Sequence, residues 1–129
     1  MSLIDLKVAD AQEFVAVSAG EYELTVISAE LSESKKTPGN MGLALAFTVE
    51  GEPLAQVVRE WINLPSPNDD ERIANSRLLR LKQFCTTFGY DPSAGIETDD
   101  LPGLSGHVIL KVESSDEYGD QNRIQRFLS

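Results

Sequence analysis

The sequence predicts an all-β domain that contains one helix. Apolar residues alternate with polar or small ones in five short segments, which is the period of a β-strand. Between the third and the fourth segment, from about residue 70 to 88, the period changes to that of a helix. The chain has 129 residues, of which 41% are hydrophobic, and this is the size and composition of one globular domain.

The first strand begins at Gly20, where Leu24 and Val26 lie on the apolar side. The alternation slips near Ile27 and Ser28, so we expect a bulge that bends the strand. A polar turn over residues 32–41 leads to a second strand, in which apolar residues alternate with small ones: Leu43, Leu45, Phe47 and Val49. A third strand is predicted over residues 56–63.

A stop at Pro65 precedes the predicted helix. Asn68 or Asp69 can cap its first turn, and Gly89 ends it. We expect an apolar stripe, with Phe84 at its edge, to be buried: Ala74, Leu78, Leu81, Cys85 and Phe88. Arg77 falls on this apolar side, so it either extends to solvent or pairs with a buried carboxylate.

Two further strands are predicted over residues 107–113 and 122–128. Three strands, one helix and two strands suit the OB-fold, a small five-stranded Greek-key barrel whose helix plugs one end. An unrelated α+β sandwich is the alternative. We therefore expect an N-terminal leader segment over residues 1–19 and an OB-fold domain over residues 20–129.

Composition bears on several classes of function. The net charge of −10, taken alone, argues against nucleic acid as a partner, but residues 72–88 carry four cations and no acid. One cysteine and one histidine argue against a disulfide or a structural zinc site. We find no catalytic motif, membrane span or secretory segment, so we expect a cytoplasmic protein that is not an enzyme and needs no cofactor or metal.

OB-fold barrels bind oligonucleotides across strands two and three and the loops between strands one and two and four and five. Cations and aromatic residues fall in or near these places, and together they are the predicted DNA-binding residues: Lys35, Lys36, Arg59, Trp61, Lys111, Tyr118 and Arg123. Cations follow the phosphates of a single strand, and aromatic rings stack on its bases.

Each of these residues also has an ordinary structural interpretation. Trp61 can belong to the core, and Arg59 can pair with Glu60 or Glu50. The two lysines can be solvated loop residues. Arg123 and Arg126 stand at odd and even positions of one strand, so we expect at most one of them to face the groove.

Five short stretches carry a resemblance to a known family: Gly20-Glu21-Tyr22, residues 35–41 (KKTPGNM), residues 81–90, residues 104–107 and residues 118–124. In this order and spacing they resemble a phage-encoded family of OB-fold single-stranded DNA-binding proteins, formerly a domain of unknown function. The resemblance implies binding of single-stranded DNA without sequence preference or catalysis, in phage DNA replication or recombination inside a bacterial host. Phage or host replication and recombination proteins would be further partners.

One departure concerns the C-terminus. Many single-stranded DNA-binding proteins end in a flexible acidic tail that recruits partners, whereas the last predicted strand of this sequence runs to residue 128 and only Ser129 follows it. A second hypothesis therefore stays open, an acidic OB-fold module that docks on replication or host proteins and binds DNA weakly or not at all. The net charge favours this module, and the cations on the predicted binding side favour the DNA-binding protein. Both a monomer and a dimer are compatible with the sequence.

Overall fold

The protein is built from five strands and one long helix over residues 2–4, 6–36 and 38–128, which its computed structural model describes. The elements follow the predicted order: β1 (Gly20–Glu33), β2 (Met41–Val49), β3 (Val58–Asn63), α1 (Glu71–Thr87), β4 (Ser105–Ser115) and β5 (Gly119–Phe127). The prediction of a mostly-β chain with its helix between the third and fourth strands is confirmed.

All five strands form one antiparallel sheet in the order β3-β2-β1-β4-β5. The edge strands β3 and β5 approach each other to within 8 Å between Cα atoms. No hydrogen-bonded ladder joins them in the described part of the chain, so the five strands are not closed into the predicted barrel. A cleft lined by Arg59, Glu60 and Arg123, among others, lies between the two edges.

The bend in β1 is confirmed. The register between β1 and β2 shifts between Val26 and Ser28, where the alternation of the sequence slips. Before the bulge, residues 20–25 of β1 pair with β4, and the strand continues beyond it paired with β2. The bulge therefore lets one strand belong to both halves of the sheet.

Helix α1 begins with a side-chain cap. Asp70 accepts a hydrogen bond of 2.8 Å from the backbone N–H of Ile73. The predicted caps Asn68 and Asp69 are therefore wrong. The carboxylate of Asp69 is already used, because its Oδ2 accepts from the backbone N–H of Ser66 at 2.8 Å.

Arg77 is held by the same carboxylate, which confirms one of the two predicted outcomes for this residue. Its Nη1 lies 2.9 Å from Asp69 Oδ2 and also donates to the carbonyl of Leu64 at 3.3 Å. Arg77 thus ties α1 to the chain that enters it from β3. The predicted end of the helix is also confirmed, since Gly89 follows it with a φ of +73° that favours glycine.

The core lies between α1 and the inner face of the sheet. Phe84, Cys85 and Phe88 of the predicted stripe are buried there, and Leu81 is partly buried. Four rings form its centre, with centroids 4.9 to 6.3 Å apart: Phe47, Phe84, Phe88 and Phe127. The prediction that Leu78 is buried is wrong, because this residue is 52% exposed at the mouth of a groove beside the helix.

The segment before β1 is attached at two points, one in the connection between β2 and β3 and one in β5. Val15 forms a parallel bridge with Ala55, and Val17 exchanges two hydrogen bonds with the buried side chain of Asn122, at 2.8 and 2.9 Å. Among the residues described, no helix is long and apolar enough to cross a membrane.

Candidate nucleic-acid interface

The outer face of the sheet is the face that points away from α1. On this face β2 carries only small side chains beside β3, whereas β3 carries long ones. The strand register places Ala46 beside Arg59, Ala44 beside Trp61, and Gly42 beside a residue at the end of β3. Directly paired residues of neighbouring strands point to the same face. The small residues that alternate with the core residues of β2 therefore form a floor beside the side chains of β3.

Trp61 lies flat on this floor. A Cβ atom at Gly42 would come within 2.1 Å of the indole, so only glycine leaves room for the ring. The indole Nε1 donates to Asn63 Oδ1 at 2.9 Å, which fixes the ring further. Trp61 is half-buried and does not belong to the buried core cluster. The arrangement leaves an aromatic ring on the surface in one defined orientation.

A cleft of about 560 Å³ lies on one side of Trp61, between β3 and β5. Arg59, Trp61 and Arg123 line it, so three of the predicted DNA-binding residues meet here. The amide side chain of Gln121 and the carboxylate of Glu60 line it as well. We call this space the β3–β5 cleft.

A second cleft, of about 660 Å³, lies at the other end of β3, and we call it the lysine cleft. Lys35, Lys36, Trp61, Asn63 and Arg77 are among the residues that line it. Trp61 lines both clefts and so stands between the two lysines on one side and two arginines on the other. An aromatic ring flanked by cations is what a single strand needs for stacking and phosphate contacts.

Three of the cations that line the two clefts have no partner among the described residues. Lys35, Lys36 and Arg59 make no hydrogen bond or ion pair with any residue in the described ranges. The alternative pairings proposed for Arg59 are wrong, because Glu60 pairs with an arginine of α1 and Glu50 accepts from Thr25 at 2.6 Å. Three positive charges are therefore available to an anionic ligand.

The side chain of Glu60 lies on the inner face of the sheet and also lines the β3–β5 cleft. Burial raises the pKa of this carboxyl group, and the nearby guanidinium of Arg80 opposes part of that rise. Arg80 Nη2 lies 3.2 Å from Glu60 Oε2, while its guanidinium carbon lies 4.4 Å above the centre of the Phe127 ring. Arg80 thus joins α1 to both strands that border the cleft.

Lys111 and Arg123 share one acidic neighbour. The two residues are paired across β4 and β5, and Glu113 Oε1 lies 3.8 Å from both Lys111 Nζ and Arg123 Nε. Lys111 adjoins Arg123 but does not line the β3–β5 cleft. Tyr118 is 67% exposed at the tip of the β4–β5 hairpin and lines neither cleft. The structure therefore gathers five of the seven predicted residues around β3.

Arg123 lines the β3–β5 cleft and Arg126 does not, in agreement with the expectation that at most one of them faces the groove, although the odd-and-even argument behind it does not hold. The register between β4 and β5 shifts between Ile109 and Leu110, so Gln125 is an extra residue in β5. Arg126 pairs with Ile109 and Arg123 with Lys111, and both partners face outward. The bulge therefore brings both arginines to the outer face of the sheet.

Sequence reasoning missed Arg126, Asn63 and Arg77 as residues of this surface. For Arg126 and Asn63, the sequence contained a signal that could have placed them on the outer face. Ile124 and Phe127 are both buried although they stand three residues apart, and this spacing requires an extra residue in the strand between them. Asn63 stands two residues after Trp61 and so shares its face.

The outer face of β1 and β4 has the opposite character. Glu21 and Glu23 are exposed there on β1, and His107 of β4 lies between them. His107 Nδ1 is 3.6 Å from a carboxylate oxygen of Glu21, and Nε2 is 3.8 Å from one of Glu23. Glu30 continues this acidic side beyond the bulge, beside Ala44 of β2.

Comparison with known protein families matches residues 4–122 to the family described as "Protein of unknown function (DUF669)". No curated protein matches the chain in sequence. The family match spans the leader, strands β1 to β4 and the start of β5. It includes every candidate residue around the clefts except Arg123, which follows directly after its end. The chain therefore belongs to the DUF669 family.

Proposed function

We propose that this chain is a single-stranded DNA-binding protein that holds its ligand on the outer face of β2 and β3. The observation that carries the proposal is the position of Trp61. The ring lies flat on Gly42 between the lysine cleft and the β3–β5 cleft. A base can stack on this ring while the phosphates on either side contact cations.

The topology supports an OB-fold assignment within the same proposal. The strand order β3-β2-β1-β4-β5, the bent first strand and the helix after the third strand are features of that fold. In OB-folds the strands two and three and the loops beside them form the usual oligonucleotide surface. The two clefts and the loop that carries Lys35 and Lys36 lie in this region.

The chemistry of the clefts favours binding without sequence preference. Cations contact phosphates, which are the same in every sequence, and every base offers a face for stacking. Four or five phosphate contacts by the predicted cations would give a log–log salt slope of roughly −3, from about −0.7 for each contact on a single strand. Following the resemblance described above, we propose that this activity serves phage DNA replication or recombination in the cytoplasm of a bacterial host.

The test is a titration with oligo-dT at two salt concentrations, with a duplex of the same length as the control. Trp61 is the chain's one tryptophan, so its fluorescence reports on the proposed platform directly. We expect quenching by oligo-dT, weaker binding to duplex, and a loss of affinity as salt rises. Equal binding of duplex, or no binding at low salt, would contradict the proposal.

A second candidate function is an acidic module that docks on replication or host proteins. The observation that favours it is the charge of −10, together with the acids on the outer face of β1. Such a module would leave the fluorescence of Trp61 unchanged by oligo-dT at every salt concentration. The titration therefore separates the two functions.

A further inference from the structure

An apolar groove of about 570 Å³ runs along α1, on the side of the molecule where β1 ends and β2 begins. Leu31, Leu64, Leu78, Leu81 and Ile96 are among the residues that line it. Leu31 is 54% exposed and Leu78 is 52% exposed, although their neighbours in the groove are core residues. The groove is thus a continuation of the core that stays open to solvent, which is uncommon for an apolar surface.

The leader segment carries the other unpartnered apolar surface. Leu3, Ile4, Leu6 and Val8 are 91%, 70%, 79% and 68% exposed. The backbone hydrogen bonds of residues 2–13 in the described part of the chain are local, joining Asp10 to Lys7 and Ala11 to Val8. Attachment to the sheet begins only at Val15. A stretch of apolar side chains therefore stands on the surface with nothing packed against it.

The charges of the two surfaces are complementary. Residues 2–13 carry three acidic residues and one lysine. Lys82 is the charged residue among those that line the apolar groove, and it is exposed on α1. The loop that forms the far wall carries four acidic residues, Asp91, Glu97, Asp99 and Asp100, but none of them lines the groove. An acidic apolar segment would therefore meet a cation rather than a carboxylate.

We infer that the leader segment of a second copy of this chain occupies the apolar groove, so that two copies associate by exchanging leaders. The apolar side chains of residues 3–8 would cover Leu31 and Leu78, and the acids of the leader would lie near Lys82. Exchange of a terminal segment is a common route to a symmetric dimer, because each copy provides both surfaces. This inference does not depend on the proposed DNA binding.

The position of the leader favours a partner's groove over the chain's own. The leader is attached through Val15 to Ala55, in the connection between β2 and β3. The groove lies at the opposite ends of these two strands, where it contacts Leu43 and Leu64. In the single chain the leader stays outside its own groove, and ten extended residues reach roughly 33 Å. That length also spans the chain's own strands, so it is the exposure of the leader's apolar side chains in the single chain that favours the groove of a neighbouring copy.

Sedimentation equilibrium of the full chain over a range of concentrations tests the exchange. We expect the average mass to rise from 14.1 kDa toward twice that value as concentration increases. Leu78→Ser should keep the chain monomeric. Leu79→Ser is the matched control, because Leu79 is 49% exposed on the same helix but does not line the groove. Both leucines are half exposed, so neither change should prevent folding.

Mixing two variants distinguishes exchange between copies from any docking within one copy. Leu6→Ser damages the leader, and Leu78→Ser damages the groove, so each variant alone should remain monomeric. Their mixture retains one intact contact, the leader of the Leu78→Ser chain in the groove of the Leu6→Ser chain, and should recover dimers. A wild-type chain that is monomeric at every concentration would overturn the inference. Equal effects of Leu78→Ser and Leu79→Ser, or a mixture without recovery, would overturn it as well.

Discussion

The outer face of the sheet has two halves of opposite character. On the β2–β3 half, Arg59 and the Trp61 ring lie over small residues, and the two lysines of the neighbouring loop are unpaired within the described chain. On the β1–β4 half, Glu21 and Glu23 stand on either side of His107. The same alternation of inward and outward residues produces both halves. The identity of the outward residues alone makes one half attractive and the other repulsive to phosphate.

The comparison shows why a net charge of −10 does not exclude an anionic ligand. Charges separated by more than about 10 Å are largely screened from one another in physiological salt. Glu30 lies across β2 from Trp61, and two strand spacings put it roughly 10 Å away. Glu30 is therefore largely screened from Trp61, whereas Glu33 lines the lysine cleft and Glu113 lies 3.8 Å from Arg123. We expect the acidic half to set the direction from which DNA approaches.

Replacing Trp61 with alanine should have the largest effect on the cationic half. Loss of one stacking contact removes about 1–3 kcal/mol, so affinity for oligo-dT should fall roughly tenfold or more. Because the ring lies outside the core cluster, the melting temperature should change little. Tyr118→Ala is the control, since Tyr118 lines neither cleft, and its effect should be smaller. Unfolding of the Trp61→Ala chain without a separate loss of affinity would show that the ring is structural.

Gly42→Ala should weaken binding by several-fold without touching any cation. The added Cβ would lie 2.1 Å from the indole and must displace the ring. The emission of Trp61 should shift toward longer wavelength, and affinity should fall less than with Trp61→Ala. Ala44→Gly makes the opposite change one row away on the same face and should leave both quantities nearly unchanged. A displaced ring with full affinity would separate Trp61 from the binding surface.

The double change Lys35→Ala and Lys36→Ala should flatten the salt dependence of binding. Losing two phosphate contacts makes the log–log slope shallower by about 1.4. All single-stranded sequences should weaken alike, because phosphate contacts carry no base information. Arg72→Ala removes an exposed cation outside both clefts and should leave the slope unchanged. An unchanged slope in the double variant would remove the lysine cleft from the ligand's path.

Glu113→Gln should strengthen binding by a small factor. Its carboxylate lies 3.8 Å from both Lys111 and Arg123 and competes with phosphate for them. An exposed ion pair contributes about 0.2–1 kcal/mol, so affinity at low salt should rise roughly twofold to fivefold. Glu23→Gln, on the acidic half, should change affinity less. Equal gains from both changes would mean that the two halves are not electrically distinct.

Patterns that depend on neighbours in sequence were predictable. The bulge after Val26, the helix and its end at Gly89 all follow from local alternation or from the conformation of a single residue. The choice of Asp70 over Asp69 as the helix cap was not predictable in this way. It depends on Ser66 and Arg77, which engage Asp69 in the folded chain.

Features that depend on how distant elements are arranged in the fold were not predictable from the sequence. A helical wheel places Leu78 on the apolar side, but it does not show that the sheet leaves this part of α1 uncovered. Likewise, residue types predicted cations near β3, whereas the gap between β3 and β5 that gathers Arg59 and Arg123 is a tertiary feature. The register of β5 belongs to the same class, because it needs two distant strands to be aligned.

The side chain of Asn122 has a consequence for where this domain can be cut. Its amide pairs with Val17 as a strand backbone would, and it is the buried polar side chain of the described core. A chain shortened to begin at Gly20 would keep every strand yet leave that amide without two of its partners. An unsatisfied buried polar group costs about 1–3 kcal/mol. A piece of this protein that keeps its full stability therefore includes Val17, three residues before its first long strand.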